Sequence, residues 1–343
     1  MKIALIGFGN VGQGLAQILC EKAVTLHEKY GFSPQLVAVA TGRRGTLYHP
    51  DGLNPEMLLT AISRGHLDYY PETEGLHRNW PVPEIIRQSE ADVVVEASPT
   101  NLKTAQPALD YCYLALEQGK HLVLANKGPV VLAYHELTKR ARQMGRQLRF
   151  EGTVMAGTPA LRTGIQNLAG CFVFAVRGIL NGTTNYMLTQ MENGLTYAEA
   201  LAQAQRLGYA ETDPSGDVEG WDAAAKAVIL AQSLFDARLR IDQLEVEGIT
   251  HLTSADIHEA QQAGERWKLV AQVTPVGGSV RPVRLPLTDP LANISGAINA
   301  ITYTTDLLGE VTLIGPGAGQ LTTGFALLSD LLDIHRTTYP AGR

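Results

Sequence analysis

Apolar residues along this chain recur in two rhythms, and the alternation between them marks out its elements. Short, mainly apolar runs stand at 2–6, 35–41, 92–97 and 121–125, with a shorter candidate at 147–150. Runs of this length, without the gaps of an amphipathic helix, fit strands buried on both faces. Helical spacing follows Gly12 through Leu15, Ile18 and Leu19, and returns over about 104–118 and 131–144. Strand and helix taking turns in this way predict a parallel βαβ sheet. The stretch 45–83, with many Gly, Pro, His and Tyr residues, reads as an elaborated crossover holding one short helix near 55–63.

From Glu151 the rhythm changes. Residues 171–180 read as a long strand with helical segments on either side. Thr196-x-x-Glu199 is a capping box that opens a helix running to about Leu207. A last helix is expected over 321–334, with Asp330 and Asp333 on a solvated face.

Composition bounds the rest. A chain of 343 residues exceeds what one core usually supports, which makes two domains the natural expectation. With 45 % hydrophobic and 18 % charged residues it has ample material for a buried core. A net charge of -6 with scattered basic residues argues against nucleic acid or an anionic membrane as partner. Cys20, Cys112 and Cys171 are far apart and each flanked by apolar residues, so they read as small core hydrophobes. The histidines form no H-E-x-x-H or similar cluster; His27, His49, His66 and His77 read as loop or surface residues. No apolar run approaches the roughly 20 residues that span a bilayer. Residues 1–7 run straight into a strand pattern without a leader, so a cytoplasmic protein is expected.

The first apolar run ends in Gly7-Phe8-Gly9-Asn10-Val11-Gly12, a G-x-G-x-x-G between strand and helix. Gly7 permits the tight turn, Gly9 lets a pyrophosphate approach the backbone, and Gly12 lets the helix pack on the sheet. Free N–H groups at the helix start, near Asn10 and Val11, then face the phosphates. In that context the motif predicts a dinucleotide. The second strand runs into Ala40-Thr41-Gly42-Arg43-Arg44, with no carboxylate to bond a ribose 2′-hydroxyl. Two guanidiniums there suit a 2′-phosphate, so NADP is expected, with NAD also accepted.

In the second half, a turn rich in carboxylates feeds an alanine-rich helix: Glu211-Thr-Asp213-Pro-Ser-Gly-Asp217-Val-Glu219-Gly-Trp-Asp222-Ala-Ala-Ala-Lys226. Asp222 and Lys226 emerge on one helix face. On spacing alone the pair is a surface salt bridge worth a few tenths of a kcal/mol. The helix around it is apolar nearly throughout, however, and a buried lysine beside acidic residues is a catalytic candidate. Trp221 reads as packing. Asn181 to Tyr186 reads as an Asn-Gly turn and helix start with room for polar site contacts.

Over essentially its whole length the chain resembles homoserine dehydrogenase. The resemblance rests on Gly7-x-Gly9-x-x-Gly12, Pro99-Thr100-Asn101, Ala125-Asn126-Lys127-Gly128-Pro129, Asn181-Gly182-Thr183-Thr184-Asn185-Tyr186, the segment Glu211 to Lys226, and Gly315-Pro-Gly317-Ala-Gly319. It implies an α/β fold: an N-terminal Rossmann sheet, doubly wound and parallel (1–150), then an α+β substrate and dimerisation domain (151–305). A C-terminal segment (306–343) would return its helix to the cofactor domain.

The resemblance also implies roles. Lys226 would be the acid–base lysine, Asp222 its neighbour, Glu211 the carboxylate on the substrate ammonium with Asp217 nearby, and Lys127 the lysine between nicotinamide and substrate. Gly7, Phe8, Gly9, Asn10, Val11, Gly12, Arg43, Ser98, Lys127 and Gly315 would hold the cofactor. Glu151 with the carbonyls of Val154, Ala156 and Thr158 would hold a monovalent cation such as sodium, although Met155 stands where many members have glycine. The implied assembly is a homodimer or a dimer of dimers. With the sequence ending at Arg343, no C-terminal amino-acid-sensing domain and no feedback inhibition by threonine through one are expected.

The implied reaction is reversible NAD(P)-dependent reduction of L-aspartate 4-semialdehyde to L-homoserine, in threonine, methionine and isoleucine biosynthesis. The carbonyl oxygen must gain a proton as charge develops, and an ammonium both stabilises that charge and supplies the proton. The alternatives are another amino-acid dehydrogenase of the same two-domain plan and a catalytically silent NADP-binding sensor. The Glu211-to-Lys226 segment counts against the first. A sensor has no use for an acid–base lysine.

Overall fold

In the computed structural model, which describes residues 1–338, the first half of the chain folds as its alternation predicts. Strands β1 (Lys2–Ile6), β2 (Gln35–Ala40), β3 (Thr46–Tyr48), β4 (His77–Arg78), β5 (Val93–Glu96), β6 (His121–Leu124) and β7 (Leu148–Arg149) form one sheet in the order β4-β3-β2-β1-β5-β6-β7. The strands from β2 through β7 in that order are parallel, because helices carry the chain back between them. On the other side β3 and β4 pair antiparallel. The crossover at 45–83 thus adds two edge strands beside its short helix, Pro55–Ser63. They are too short to be seen as apolar runs. The helix expected from 104 begins only at Ala108, after Pro107.

Chain order reverses between β1 and β5. In open α/β sheets that reversal leaves a crevice at the carboxyl ends of the strands. Beneath it Ile3, Leu5, Val93, Val95 and Val123 are wholly buried with Leu15, Leu327 and Leu331. Each such side chain contributes about 1.5–3 kcal/mol by leaving water.

The last helix, Gln320–Thr338, belongs to this same unit, Met1–Gly157 together with the chain from Gly319 onward. It lies backbone to backbone on the helix Asn10–Glu21: a Cβ on Gly324 would sit 2.6 Å from the Gly14 carbonyl carbon. Only glycines allow that approach. The expected solvated face is not there: Asp330 is buried and accepts a hydrogen bond from the Glu151 N–H at 2.9 Å, while Asp333 pairs with Arg149 at 2.6 Å. The two carboxylates satisfy donors of the helix's own unit. Of the three cysteines expected in the core, Cys20 is exposed at the end of its helix, Cys171 is half-buried and Cys112 is a core residue. Residues 339–343 of the predicted C-terminal segment lie outside the described residues.

The second unit, Thr158–Ala318, is built on a largely antiparallel sheet. Strands β8 (Val173–Ile179), β9 (Glu245–Val246), β10 (Glu265–Thr274), β11 (Gly277–Pro286), β12 (Ile298–Thr305) and β13 (Gly309–Pro316) lie in the order β13-β12-β8-β10-β11-β9. Two tight hairpins supply four of them, β10 with β11 and β12 with β13. The central strand is β8, the one expected from its apolar run. The capping box at Thr196 forms as predicted, with Glu199 accepting from the Thr196 N–H at 2.8 Å, and opens the helix Tyr197–Arg206. The alanine-rich helix, Trp221–Phe235, is buried along most of its length because small side chains let it lie close to the sheet.

Candidate active site

Lysine 226 lies on that helix with its side chain almost entirely out of water. Its Nζ donates to Asp222 Oδ2 at 2.6 Å and to the Leu180 carbonyl at 2.6 Å, at the end of β8. The pair is therefore not the solvated bridge that its spacing alone would give. Ion pairs of this kind need extra hydrogen bonds to offset lost hydration, and the Leu180 carbonyl is one.

Asn181 supplies the others. Its Nδ2 donates to Asp217 Oδ1 at 2.6 Å and to Asp222 Oδ2 at 3.0 Å. Its Oδ1 caps the helix Gly182–Glu192, accepting from the Thr184 N–H at 2.9 Å. One amide thus fixes a helix start and holds two like charges together. Burial pushes the Asp217 carboxyl above the usual range; Asn181 opposes this, Asp222 adds to it and Lys226 works against it. Asp217 itself sits on the short turn of helix Ser215–Val218. The cluster carries two carboxylates against one ammonium.

Glu211 is not joined to it. Its side chain is exposed and makes no hydrogen bond or ion pair among the described residues, while Gln205 Nε2 holds its carbonyl at 3.1 Å. Thr183, beside Asn181, donates to the Tyr209 carbonyl at 2.7 Å and so fixes the chain that leads to Glu211. Trp221 packs only partly: it is exposed on one side and its Nε1 donates to Glu219 at 3.0 Å.

In the first unit the glycine-rich turn has the form its motif requires. Gly7 takes a φ of 100°, and a Cβ on Gly12 would lie 2.3 Å from the Gly7 carbonyl oxygen. Above Gly9 there is open space, and no side chain caps the helix that starts at Asn10. A helix start without a side-chain cap, with open space at Gly9, leaves room for an anion, and the residues present fit a dinucleotide pyrophosphate. Arg44 donates to the Phe8 carbonyl at 3.0 Å and Gln13 Nε2 to the same oxygen at 3.1 Å, which ties the turn down. Arg43 is exposed and makes no bond among the described residues.

Past β5 and β6 two loops are joined by Asn126. It donates to Ser98 Oγ and to the Pro99 carbonyl, both at 3.3 Å, and its Oδ1 caps the helix that begins at Lys127. The Lys127 N–H reaches Thr100 Oγ1 at 3.3 Å. Below them lies Glu96, which sequence reasoning passed over. Its signal was a carboxylate ending the run Val93-Val94-Val95.

The residues implied for a cation are buried: Glu151, Val154, Ala156 and Thr158. Met155 and Ala156 take φ values of 56° and 49°, the left-handed backbone that glycine adopts without strain. The Thr158 carbonyl already accepts from the Ala160 N–H at 2.7 Å. Within the second unit Gly315 lies against Thr158, so close that a Cβ would fall 2.2 Å from its Oγ1. Among the described residues no group of three or more His, Cys, Asp or Glu side chains could hold a metal ion, and no helix is long and apolar enough to cross a membrane.

Two family models cover most of the chain. Residues 7–151 match that of the homoserine dehydrogenase NAD binding domain, and residues 159–332 that of homoserine dehydrogenase. An NAD(+)-dependent homoserine dehydrogenase from Pseudomonas canavaninivorans is 42 % identical over 98 % of this chain and 96 % of its own. A homoserine dehydrogenase from Methanocaldococcus jannaschii is 39 % identical over 98 % and 99 %. Among solved structures, a hyperthermophilic archaeal homoserine dehydrogenase in complex with NADPH superimposes with a TM-score of 0.84 at 30 % identity, over 100 % of this chain and 99 % of that one.

Proposed function

The chain belongs to the homoserine dehydrogenase family and interconverts L-aspartate 4-semialdehyde and L-homoserine with NAD(P), and we propose that Lys226 is the group that moves the proton in that reaction. One observation carries the proposal: a lysine removed from water, held by Asp222 Oδ2 and the Leu180 carbonyl at 2.6 Å each. When bound, the nicotinamide supplies or accepts the hydride. The protein must then give a proton to the nascent alkoxide in reduction and take one from the hydroxyl in oxidation. Lys226 does the first as an ammonium and the second as an amine; because oxidation of the alcohol releases a proton, rising pH favours it. Asp222 keeps the amine aimed. Asn181 positions both carboxylates.

The excess negative charge of the Asp217–Asp222–Lys226 cluster has a use in this reading. It draws the α-ammonium of an amino-acid substrate, and Glu211, exposed at the start of the acidic turn, adds a further carboxylate for that group. Lys127, at the start of its helix, and Ser98 belong to the cofactor side with Phe8, Asn10 and Val11.

For the cofactor, the lack of a carboxylate after β2 and the exposed guanidinium of Arg43 favour NADP over NAD. A sodium-like ion held by Glu151 and the carbonyls of Val154 and Ala156 is supported by the left-handed backbone at 155 and 156, which turns successive carbonyls in a way an extended loop does not. The Thr158 carbonyl, already bonded, is the weakest member of that set. A homodimer formed through the second unit, in a cytoplasmic enzyme, completes the reading. Absorbance at 340 nm with L-homoserine, in parallel with NAD and NADP, tests it. Faster turnover per cofactor concentration with NADP, lost in Arg43→Ala, supports the assignment; a preference for NAD untouched by Arg43→Ala removes it.

A further inference from the structure

Glu96 ends a strand that otherwise consists of Val93, Val94 and Val95, and its side chain is wholly buried. A carboxyl group there needs a reason, because its ionised form is costly to strip of water. On the strands beside it stand Ile6 of β1 and Leu124 of β6, both apolar. Oε1 accepts from the Ser98 N–H at 3.1 Å, and Oε2 is buried with no hydrogen-bond partner among the described residues. Asn126 faces it from the loop after β6, and Tyr111 and Cys112 from the helix Ala108–Glu117. None of these groups is basic. Burial pushes the carboxyl up to about 7, with the polar groups of Ser98 and Asn126 pulling the other way. It therefore changes charge in the neutral range.

Its place gives that charge a use. The reversal of strand order between β1 and β5 sets the dinucleotide crevice, with one mononucleotide half on each side. Arg43 and Arg44, past the end of β2, mark the adenosine side. Ser98, Asn126 and Lys127, past β5 and β6, mark the nicotinamide side. The two redox forms of that ring differ by one positive charge, since the oxidised pyridinium is cationic and the reduced ring neutral. A carboxylate under this side attracts the first and is indifferent to the second. Phosphates and riboses are common to both forms, so their effects cancel in the ratio of affinities.

We propose that Glu96 is a specificity-determining residue of the cofactor site, which favours the oxidised dinucleotide when ionised and loses that preference when protonated. The inference rests on the β5–β6 side being the nicotinamide side. By linkage, binding of the oxidised form near neutral pH expels a proton from Glu96 and binding of the reduced form does not.

The test is a pair of dissociation constants, for oxidised and reduced forms of whichever dinucleotide binds, followed by fluorescence in wild type and Glu96→Gln. Between about pH 6 and about pH 8.5 the ratio of reduced to oxidised constants rises about three- to tenfold in wild type and stays flat in Glu96→Gln. A flat wild-type ratio, or a rise retained in Glu96→Gln, overturns the proposal. So does a Glu96→Gln protein that weakens both forms equally while the pH trend persists. Should the variant not fold, calorimetry of wild type in buffers of different ionisation enthalpy decides the same question. Proton release with the oxidised form alone supports the idea, and equal release with both overturns it. None of these binding ratios depends on Lys226, whose failure would appear only in turnover.

Discussion

Replacing Asn181 with alanine removes a helix cap and two bonds to carboxylates at once, and the structure sets the size of the loss. The helix Gly182–Glu192 loses its cap, worth about 1 kcal/mol. Two hydrogen bonds to carboxylates disappear, each worth about 1.5–3 kcal/mol for a charged acceptor. The Asp222 bond belongs at the low end of that range, because its side chain is 22 % exposed and keeps the Lys226 ammonium. Asp217 is left facing a like charge without the Asn181 amide between them. The total is about 4–5.5 kcal/mol, read as the fall in urea-unfolding free energy at about pH 7.5. Asn181→Asp separates the contributions. It keeps a capping oxygen but sets a third carboxylate among two, so it loses at least as much as alanine near neutral pH. It then regains stability on acidification, since carboxyls with raised pKa values favour the folded state at low pH. A loss below about 1 kcal/mol for Asn181→Ala, or an Asn181→Asp protein that is pH-insensitive relative to alanine, would refute the assignment of Asn181 as the hub of the cluster.

Glu96→Gln carries a stability prediction of its own. A folded pKa of about 7 against 4.5 means the folded state holds the proton more tightly, so stability is full below 4.5 and declines as pH rises through about 7. The decline amounts to about 3 kcal/mol in wild type and is absent in Glu96→Gln, so the melting temperatures of the two diverge in the variant's favour as pH rises from about 4.5 to about 7 and run parallel above that; curves that stay parallel between about pH 4.5 and about pH 7 would contradict this. Gly12→Ala brings a Cβ to 2.3 Å from the Gly7 oxygen, which displaces the glycine-rich turn and weakens dinucleotide binding at least about tenfold in a fluorescence titration; unchanged affinity would remove the turn from the site. Glu211→Gln raises the KM for homoserine about tenfold with the cofactor dissociation constant unchanged. Equal effects on both constants make Glu211 structural.

Legibility in the sequence followed the local signals. The parallel strands β1, β2, β5 and β6 announced themselves as apolar runs, and the turn at Gly7–Gly12 by glycines whose backbone roles no other residue can fill. The capping box at Thr196 and the helix from Trp221 were equally local. What escaped notice depends on partners distant in the chain. Edge strands of two or three residues, such as β4, have no period to detect. The hairpins of the second sheet hold charged and polar residues on strands that read ambiguously until paired. Asp330 looked solvated because helical spacing cannot reveal that the Glu151 N–H, far off in sequence, waits on that face. In the candidate site, Asp222 and Lys226 were visible as a helical pair on an apolar helix. Asn181 seemed a turn residue because its two carboxylate partners lie on other elements. Glu96 was hidden by its strand: a single acid after three valines looks like a strand end until burial is known.

The acid–base role of Lys226 is tested most directly by Lys226→Ala, with homoserine oxidation and dinucleotide affinity measured on one preparation. The account predicts turnover at least about 100-fold lower, with cofactor dissociation constants within about twofold of wild type. Turnover close to wild type with intact binding would show that some other group carries the proton.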